Sequence, residues 1–543
     1  VNALEFAQWG PVGKYWLEAF VPDSPLHEVV PVGPLASMRF PSERAEIWAD
    51  QGLRRASLVA ALQEDLSAMP PVQRACIEKL ADSRCLAVVT GQQPGLFGGP
   101  LYTFAKILTA VVYAENLERE WNRPVVPILW NGGDDHDLKE IDHLDWPGSE
   151  GPFKLDLTAF SGQPAWKLPF PAEFLEKIRE FIETHHPETE FRRAALGFLA
   201  EAVEGGSSWT QVFNRIWRRV FANSPLVIVD PWKKSFRNLV REVFREEILH
   251  PELYREELET ASHALQERGF DPHVHKKEGV CSFFLMEEGL RLQVRFEKDR
   301  FVLVETGLEL SRERMLDRLE NAPEDFSPSA LLRPVVQDAL LPTAASVLGP
   351  SEIAYHAQTG GIYQRHGIPR PFLLPRFSFS IVSAHQDKHR RDLGLAWTDF
   401  QRDAKELGKR VASSKDLEAS LSDLEELASR LEGAEKGLTA RHGETSPGLV
   451  QGIEAQFKRI RKPLEQLEDL LRRDEMKRDQ VLLDRIAQLR DWIYPGEGLQ
   501  ERVYSLVPLW CRFGSDWLEP FMELAKGWDG CGHQIVVLGE DHD

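Results

Sequence analysis

The apolar residues of this chain fall into runs of three kinds, and each kind predicts a different element. Leu86-Ala-Val-Val89, Val125-Val-Pro-Ile-Leu-Trp130 and Leu226-Val-Ile-Val229 are short and nearly unbroken. Runs of that length, rich in β-branched residues, suit strands covered on both faces. After the first of them, Leu101, Phe104, Ala105, Leu108, Val111 and Val112 recur at helical spacing, which predicts an amphipathic helix. Between the two lies Thr90-Gly-Gln-Gln-Pro-Gly-Leu-Phe-Gly-Gly-Pro100, with four glycines and two prolines. Leu86 to Lys106 therefore reads as strand, glycine-rich turn and helix. Pro100 suits a first helical position, where the missing N–H has no partner to lose.

The third kind of run appears late. Leu417, Leu421, Leu424, Ala428, Leu431 and Leu438 follow a four-three rhythm. After the breaker Gly443-Glu-Thr-Ser-Pro-Gly448, the rhythm resumes with Ile453, Phe457, Ile460, Leu464, Leu467 and Leu471, and continues through Leu482, Ile486, Leu489 and Ile493. Charged residues fill the remaining positions. That predicts an antiparallel helical hairpin with coiled-coil seams, kinked at Pro463. Two arms seal one seam, so a further apolar stripe points to a homodimer through the hairpin, while a lone solvated hairpin explains the same pattern.

The second strand runs straight into Asn131-Gly-Gly-Asp-Asp-His-Asp137, and Leu226–Val229 ends in Asp230 before another helical stretch. Repeated strand–turn–helix units predict an α/β fold with a doubly wound parallel sheet, in which ligands sit outside the carboxyl ends of the strands. Weak alternation over Cys281–Met286, Leu290–Glu297 and Phe301–Glu305 suggests a small hairpin region, about 273–310. Helical periodicity over 51–82 includes Leu53, Leu58, Leu62 and Leu66. The changes of pattern divide the chain into core segments 1–145, 206–272 and 331–387, insertions 146–205 and 273–330, a helical hairpin 388–497 and a return to the core over 498–543.

Composition narrows the functional classes. The formal charge is −20, which argues against broad binding of nucleic acid or of an anionic membrane, since both need basic patches. A local basic pocket stays open. The five cysteines, Cys76, Cys85, Cys281, Cys511 and Cys531, form no CxxC pair and read as small buried hydrophobes of a reducing compartment. No apolar run approaches a membrane span and no leader pattern opens the chain, so the expected location is the cytoplasm.

Three polar groups could carry chemistry. The tip of the first turn holds Gly91, Gln92 and Gln93; glycine admits a ligand close to the backbone, and each amide both donates and accepts. A tight turn with solvated amides explains the same residues. The loop follows neither the dinucleotide nor the Walker pattern. The second group is Asn131 with Asp134-Asp-His-Asp137, Glu140, Asp142 and His143. Its carboxylates favour cationic groups and should raise the proton affinity of the imidazole, so Asp135, His136 and Asp137 are the acid–base candidates. A helix starting near Asp134 would place His136, Glu140 and His143 on one face, suited to a divalent metal. Helix capping with solvated charges accounts for the pattern as well, and no metal is assigned. The third group is Gly349-Pro-Ser-Glu-Ile-Ala-Tyr355, which offers Glu352 and Tyr355, beside a Pro-rich stretch with Arg370 and Arg376 suited to carboxylate or phosphate; structural loops with surface arginines account for both stretches equally well. Neither GxSxG nor HExxH occurs, so serine hydrolase and zincin chemistry have no support.

At Val88-Val-Thr-Gly-Gln-Gln93 with Gly99-Pro-Leu-Tyr-Thr-Phe-Ala-Lys106, at Asp134-Asp-His-Asp137 with Glu140, and at Leu341-Pro-Thr-Ala through Tyr355, the chain resembles the BshC family of bacillithiol biosynthesis. Val347-Leu348-Gly349 and His356 depart from that pattern in one loop. The resemblance implies a Rossmann-like core with connecting inserts, similar to class I aminoacyl-tRNA synthetases, and a coiled-coil domain that makes a homodimer. It also implies a ligase that adds L-cysteine to the amine of glucosaminyl malate. No permanently bound cofactor is expected. ATP, with or without Mg, is the expected co-substrate, because a carboxylate needs a leaving group. Gly91, Gln92, Gln93, Asn131, Glu140, Glu352, Tyr355 and Arg376 are the expected substrate contacts. Two other readings stand beside this one: a different ATP-dependent nucleotidyl or acyl transferase on the same core, and a non-catalytic coiled-coil scaffold.

Overall fold

The computed structural model describes residues 2–9, 13–38, 52–64, 69–203, 207–411, 415–442 and 446–539. The chain divides into two units, Val1–Ala384 with Gly498–Asp543, and His385–Glu497. Five strands organise the first: β1 (Leu86–Gln92), β2 (Val125–Asn131), β3 (Val227–Val229), β4 (Thr343–Leu348) and β5 (Phe372–Pro375). They lie in the order β5-β4-β1-β2-β3 and every pair is parallel. The direction of winding reverses between β1 and β4, and such a reversal leaves a crevice at the carboxyl ends of the strands.

All of β2 and β4, and all of β1 but the half-buried Gln92, is buried, as a parallel sheet covered on both faces requires. Pro127 sits inside β2 without breaking it. β1 pairs along the whole of β2, but β3 joins only from Ile128, so the residue that lacks an N–H lies where β2 still has a free flank.

Four helices position the site: α1 (Leu101–Trp121), α2 (Lys234–Leu249), α3 (Arg333–Leu340) and α4 (Pro350–His356). Pro100 caps α1 rather than opening it, a shift of one residue. α1 packs across β1, β2 and β4 and is buried along most of its length, Lys106 included. The turn ahead of it demands its glycines. A Cβ on Gly95 would lie 2.7 Å from the Cα of Gly99, and Gly98, at φ +96°, would bring one to 3.1 Å from Trp217.

Several local expectations change. No helix starts at Asp134. The chain runs through a loop into one short turn, Leu138–Glu140, and a two-residue strand, His143–Leu144. Asp135 Oδ1 accepts the N–H groups of His136 (2.7 Å) and Asp137 (3.3 Å), and Asp137 accepts the N–H of Lys139. These side-chain bonds to backbone replace the helical ladder, so His136, Glu140 and His143 share no helical face. The region expected as a small hairpin is a five-stranded antiparallel sheet, ordered Glu309–Leu310, Arg300–Leu303, Leu290–Glu297, Val280–Glu287, Phe326–Pro328. The last of these strands is too short to leave a period in the sequence. Cys531 is exposed, whereas the other four cysteines are buried. The 51–82 periodicity becomes helices Gly52–Gln63 and Pro71–Lys79; Leu66 and the side chain of Leu53 lie outside the described residues.

The C-terminal return reaches the core as the strand His533–Leu538, set between Asn2–Leu4 and Phe379–Ser383. In the second unit, helices Lys415–His442 and Pro447–Ile493 pack along each other, and the longer one continues through Pro463. Leu421, Leu424, Leu431 and Leu438 of one arm, and Ile453, Phe457, Leu464 and Leu471 of the other, are half-buried. Ile460 and Leu467, expected in the seam, are 46% and 43% exposed, because two helices cover only one stripe. The side chain of Leu417 and residues Gly443–Thr445 lie outside the described residues. Among the described residues no helix is long and apolar enough to cross a membrane.

Candidate active site

A cleft of about 460 Å³ opens at the carboxyl ends of β1, β2 and β4, where the winding reverses. The two polar turns meet in it. Gln93 Nε2 donates to Asp135 Oδ2 at 2.7 Å, so the twin glutamines and the acidic cluster share one space.

The neighbouring glutamines serve different partners. Gln92 Oε1 accepts from Lys106 Nζ at 3.0 Å, and its Nε2 donates to the Tyr102 hydroxyl at 3.2 Å. Lys106 also donates to Gly91 O at 3.1 Å and pairs with Glu352 at 2.5 Å. Glu352 in turn accepts the Gly349 N–H at 2.8 Å, which closes the first turn of α4. Burial pushes the Lys106 ammonium below its ordinary pKa, against the opposing pull of Glu352.

Carboxylates form one part of the lining: Asp134, Asp135 and Glu140. Asp134 pairs with the buried Arg237. Asp135 lies 3.5 Å from Arg291. Burial alone would raise its pKa, but Arg291, the Gln93 amide and two backbone N–H groups outweigh burial and hold it below the usual range. Burial raises Glu140.

Cations form another part: Lys106, Arg291, Arg333, Arg376 and Arg502. Arg291 is fixed by Ser327 Oγ and Pro328 O, both at 2.9 Å, and donates to His136 Nδ1 at 2.8 Å. Arg376 is buried on Glu501 at 2.7 Å and lies over the Tyr102 ring. Arg333 donates to Tyr355 at 2.9 Å and to Gln337 at 3.0 Å. Neither Arg333 nor the exposed Arg502 has a carboxylate at ion-pair distance among the described residues. These two are the cations with capacity left for an anionic ligand.

Of the residues expected from sequence, Gly91, Gln92, Gln93, Asp135, Glu140, Glu352, Tyr355 and Arg376 line the cleft. His136, Asp137 and Asn131 do not. The turn built on Asp135 carries its two followers off the lining, and Asn131 is buried against Asn214 and Asp230. Arg370 is spent on the carbonyls of Val29 and His356. The expected rise in the proton affinity of His136 is reversed. Burial and then Arg291 lower its pKa, and because a guanidinium only donates, Nδ1 must keep its lone pair free.

Sequence reasoning missed Arg291, Arg333, Arg502 and His273. Arg291 takes a polar position in the alternation Leu290-Arg-Leu-Gln-Val294, so the pattern reads it as a solvated charge and gives no signal of its burial at the cleft. Arg333 precedes a proline at a helix start. Arg502 and His273 stand in no pattern.

Comparison with known proteins places the chain beside one group. Residues 37–377 match the model described as "Bacillithiol biosynthesis BshC, N-terminal Rossmann-like domain", and residues 379–538 match the corresponding C-terminal coiled-coil domain. A protein of Solibacter usitatus named "Putative cysteine ligase BshC" is 31% identical over 468 residues, 85% of this chain and 86% of the relative. Proteins of the same name from Bacillus cytotoxicus and Chlorobaculum tepidum are 28% identical over 85% of this chain and 29% identical over 90%, covering 86% and 90% of those relatives.

Proposed function

The chain belongs to the BshC family of bacillithiol biosynthesis, and from that membership we propose that it is a carbon–nitrogen ligase joining the carboxyl of L-cysteine to the amine of glucosaminyl malate. The relatives' name supports a ligase. The observation that carries the reading is the cleft, in which an acidic group and a cationic group converge at the sheet's reversal point.

The substrates match that division by charge. An amine arrives as an ammonium, which Asp134, Asp135 and Glu140 attract. The malate and cysteine carboxylates suit Arg333 and Arg502, with Arg376 behind them. A carboxylate is a poor acyl donor, so ATP, with or without Mg, is the proposed activating co-substrate. Once cysteine is an acyl phosphate or adenylate, attack by the amine forms the C–N bond and the phosphate leaves with the C–O electrons. Asp135 holds the amine. His136 acts through Arg291, which it positions.

The test is product analysis. Purified protein given L-cysteine, glucosaminyl malate and ATP should yield the cysteinyl amide, identified by mass, with cysteine-dependent consumption of ATP. No amide under any nucleotide overturns the reading. A different acylated product would move the chain to another transferase chemistry.

A further inference from the structure

On the ligase reading, the attacking nitrogen must shed a proton, and the groups around the cleft differ in their freedom to take it. Asp134, Asp135 and Glu352 are each engaged by a cation. A carboxylate so paired is a weak base. His136 is off the cleft lining and one of its ring nitrogens is occupied by Arg291. His273 lines the cleft, is exposed, and has no hydrogen-bond, ion-pair or ring partner among the described residues.

Its place is nevertheless held. His273 lies on the connection between helix Pro251–Glu267 and strand Val280–Glu287. The residue after it is gripped on both backbone groups by one side chain: Val274 N–H donates to Gln358 Oε1 at 2.9 Å, and Gln358 Nε2 donates to Val274 O at 3.0 Å. Gln358 is 1% exposed and also donates to Ser262 at 3.2 Å. The amide thus acts as a strand neighbour would, and it fixes the backbone beside an otherwise free imidazole. Fixed backbone and free ring together describe a proton acceptor that need not first break an internal bond.

We propose that His273 is the catalytic base of amide formation. The bound ammonium first gives one proton to solvent, and the neutral amine nitrogen then attacks the carbonyl carbon of cysteine activated as a mixed anhydride with phosphate from a nucleoside triphosphate. The C–N bond forms, the C–O bond to phosphate breaks with its electron pair on the phosphate oxygen, and the nitrogen's proton passes to the His273 imidazole.

The test compares His273→Ala, His273→Asn and Glu140→Gln with wild type, in the full chain with cysteine, glucosaminyl malate and ATP. Both His273 variants should lose at least about a hundredfold in amide formation. Cysteine-dependent ATP consumption should persist, the KM for the amine should stay within about threefold, and added imidazole should restore part of the rate to His273→Ala. Amide formation by His273→Ala within threefold of wild type overturns the assignment, as does loss of cysteine-dependent ATP consumption together with the amide. If Glu140→Gln alone fails, the base is Glu140 and the assignment is overturned. Failure of the wild type to make any amide removes the ligase reading itself, which separates the two outcomes.

Discussion

The core and the helical hairpin contain the same chemical pair under opposite conditions. In the core, Arg376 meets Glu501 at 2.7 Å with side chains 4% and 0% exposed. In the hairpin, Arg430 meets Glu426 at 2.5 Å with side chains 75% and 63% exposed. Distance ranks the hairpin pair first, and burial reverses the ranking. Exposed ions trade one good environment for another, whereas buried ions have lost their water and depend on what surrounds them. The core supplies those surroundings in full. Glu501 also accepts from Ser378 Oγ and Phe379 N, each at 2.9 Å, and Arg376 Nη1 donates to Phe377 O at 2.9 Å. His533 completes the set, with Ser378 at 2.8 Å from Nδ1 and Ser380 at 2.9 Å from Nε2. That network holds a guanidinium at the cleft; the hairpin's pairs keep two long helices wetted.

The largest expected effect follows from cutting the core pair on one side. Glu501→Ala strands the Arg376 charge in a dry site and should cost about 3–5 kcal/mol of stability in urea unfolding. Replacing both partners, Glu501→Leu with Arg376→Met, should recover most of that loss while amide formation stays impaired. A loss below about 1 kcal/mol for Glu501→Ala would show that water reaches the site, and the contrast with the hairpin would fail.

Acid should probe the same network next. Burial lowers the His533 pKa to about 4, below the ordinary imidazole value of about 6.5. Between those two values the unfolded chain binds more protons than the folded one, so stability rises with pH there. The contribution is complete above about pH 6.5 and is lost as pH falls toward 4, about 3 kcal/mol in all. Urea unfolding across that window should be steeper in pH for wild type than for His533→Asn; equal slopes would mean the ring is not dry.

The two regions were also unequally legible in the sequence. The sheet was, because Leu86–Val89 and Val125–Trp130 carry a pattern set by burial on both faces, and that is a local property. The hairpin rhythm was legible for the same reason, although how far the seam closes was not: Ile460 and Leu467 carry the same spacing as Leu464 and stay exposed. At the cleft, Gln93 and Asp135 announced themselves through turn chemistry at strand ends. Among the cations Arg376 did so through its Pro-rich stretch, and three others did not. Arg291, Arg333 and Arg502 come from a strand of the inserted sheet, a helix start and the C-terminal return, and only the fold brings them together. His136 was misjudged because its neighbours in sequence are acids, whereas burial first and Arg291 second oppose its charge in the fold.

Between the extremes lies Lys106 with Glu352, 5% and 17% exposed at the edge of the cleft. Lys106→Met leaves Glu352 its bond to the Gly349 N–H and some access to the cleft, so the expected cost is smaller, about 1–3 kcal/mol. Gln92 loses a partner in the same change, so kcat/KM for amide formation should fall at least about tenfold, some 1.4 kcal/mol of transition-state stabilisation. Full activity with lowered stability would make Lys106 a packing residue and move it out of the site.

The smallest effect belongs to Arg430→Ala. An exposed pair one helical turn apart contributes about 0.3–0.5 kcal/mol, and alanine's better helix propensity returns part of that. The net change should lie within about 0.5 kcal/mol at low salt. The loss should vanish near about 1 M salt, where screening acts over roughly 3 Å, leaving only alanine's small gain. Thermal unfolding at the two salt concentrations measures both. A loss above about 1 kcal/mol that salt does not reduce would mean that the pair is shielded from solvent in solution. Exposure in the isolated chain would then no longer describe the hairpin, and the reason for ranking Arg376–Glu501 above Arg430–Glu426 would disappear.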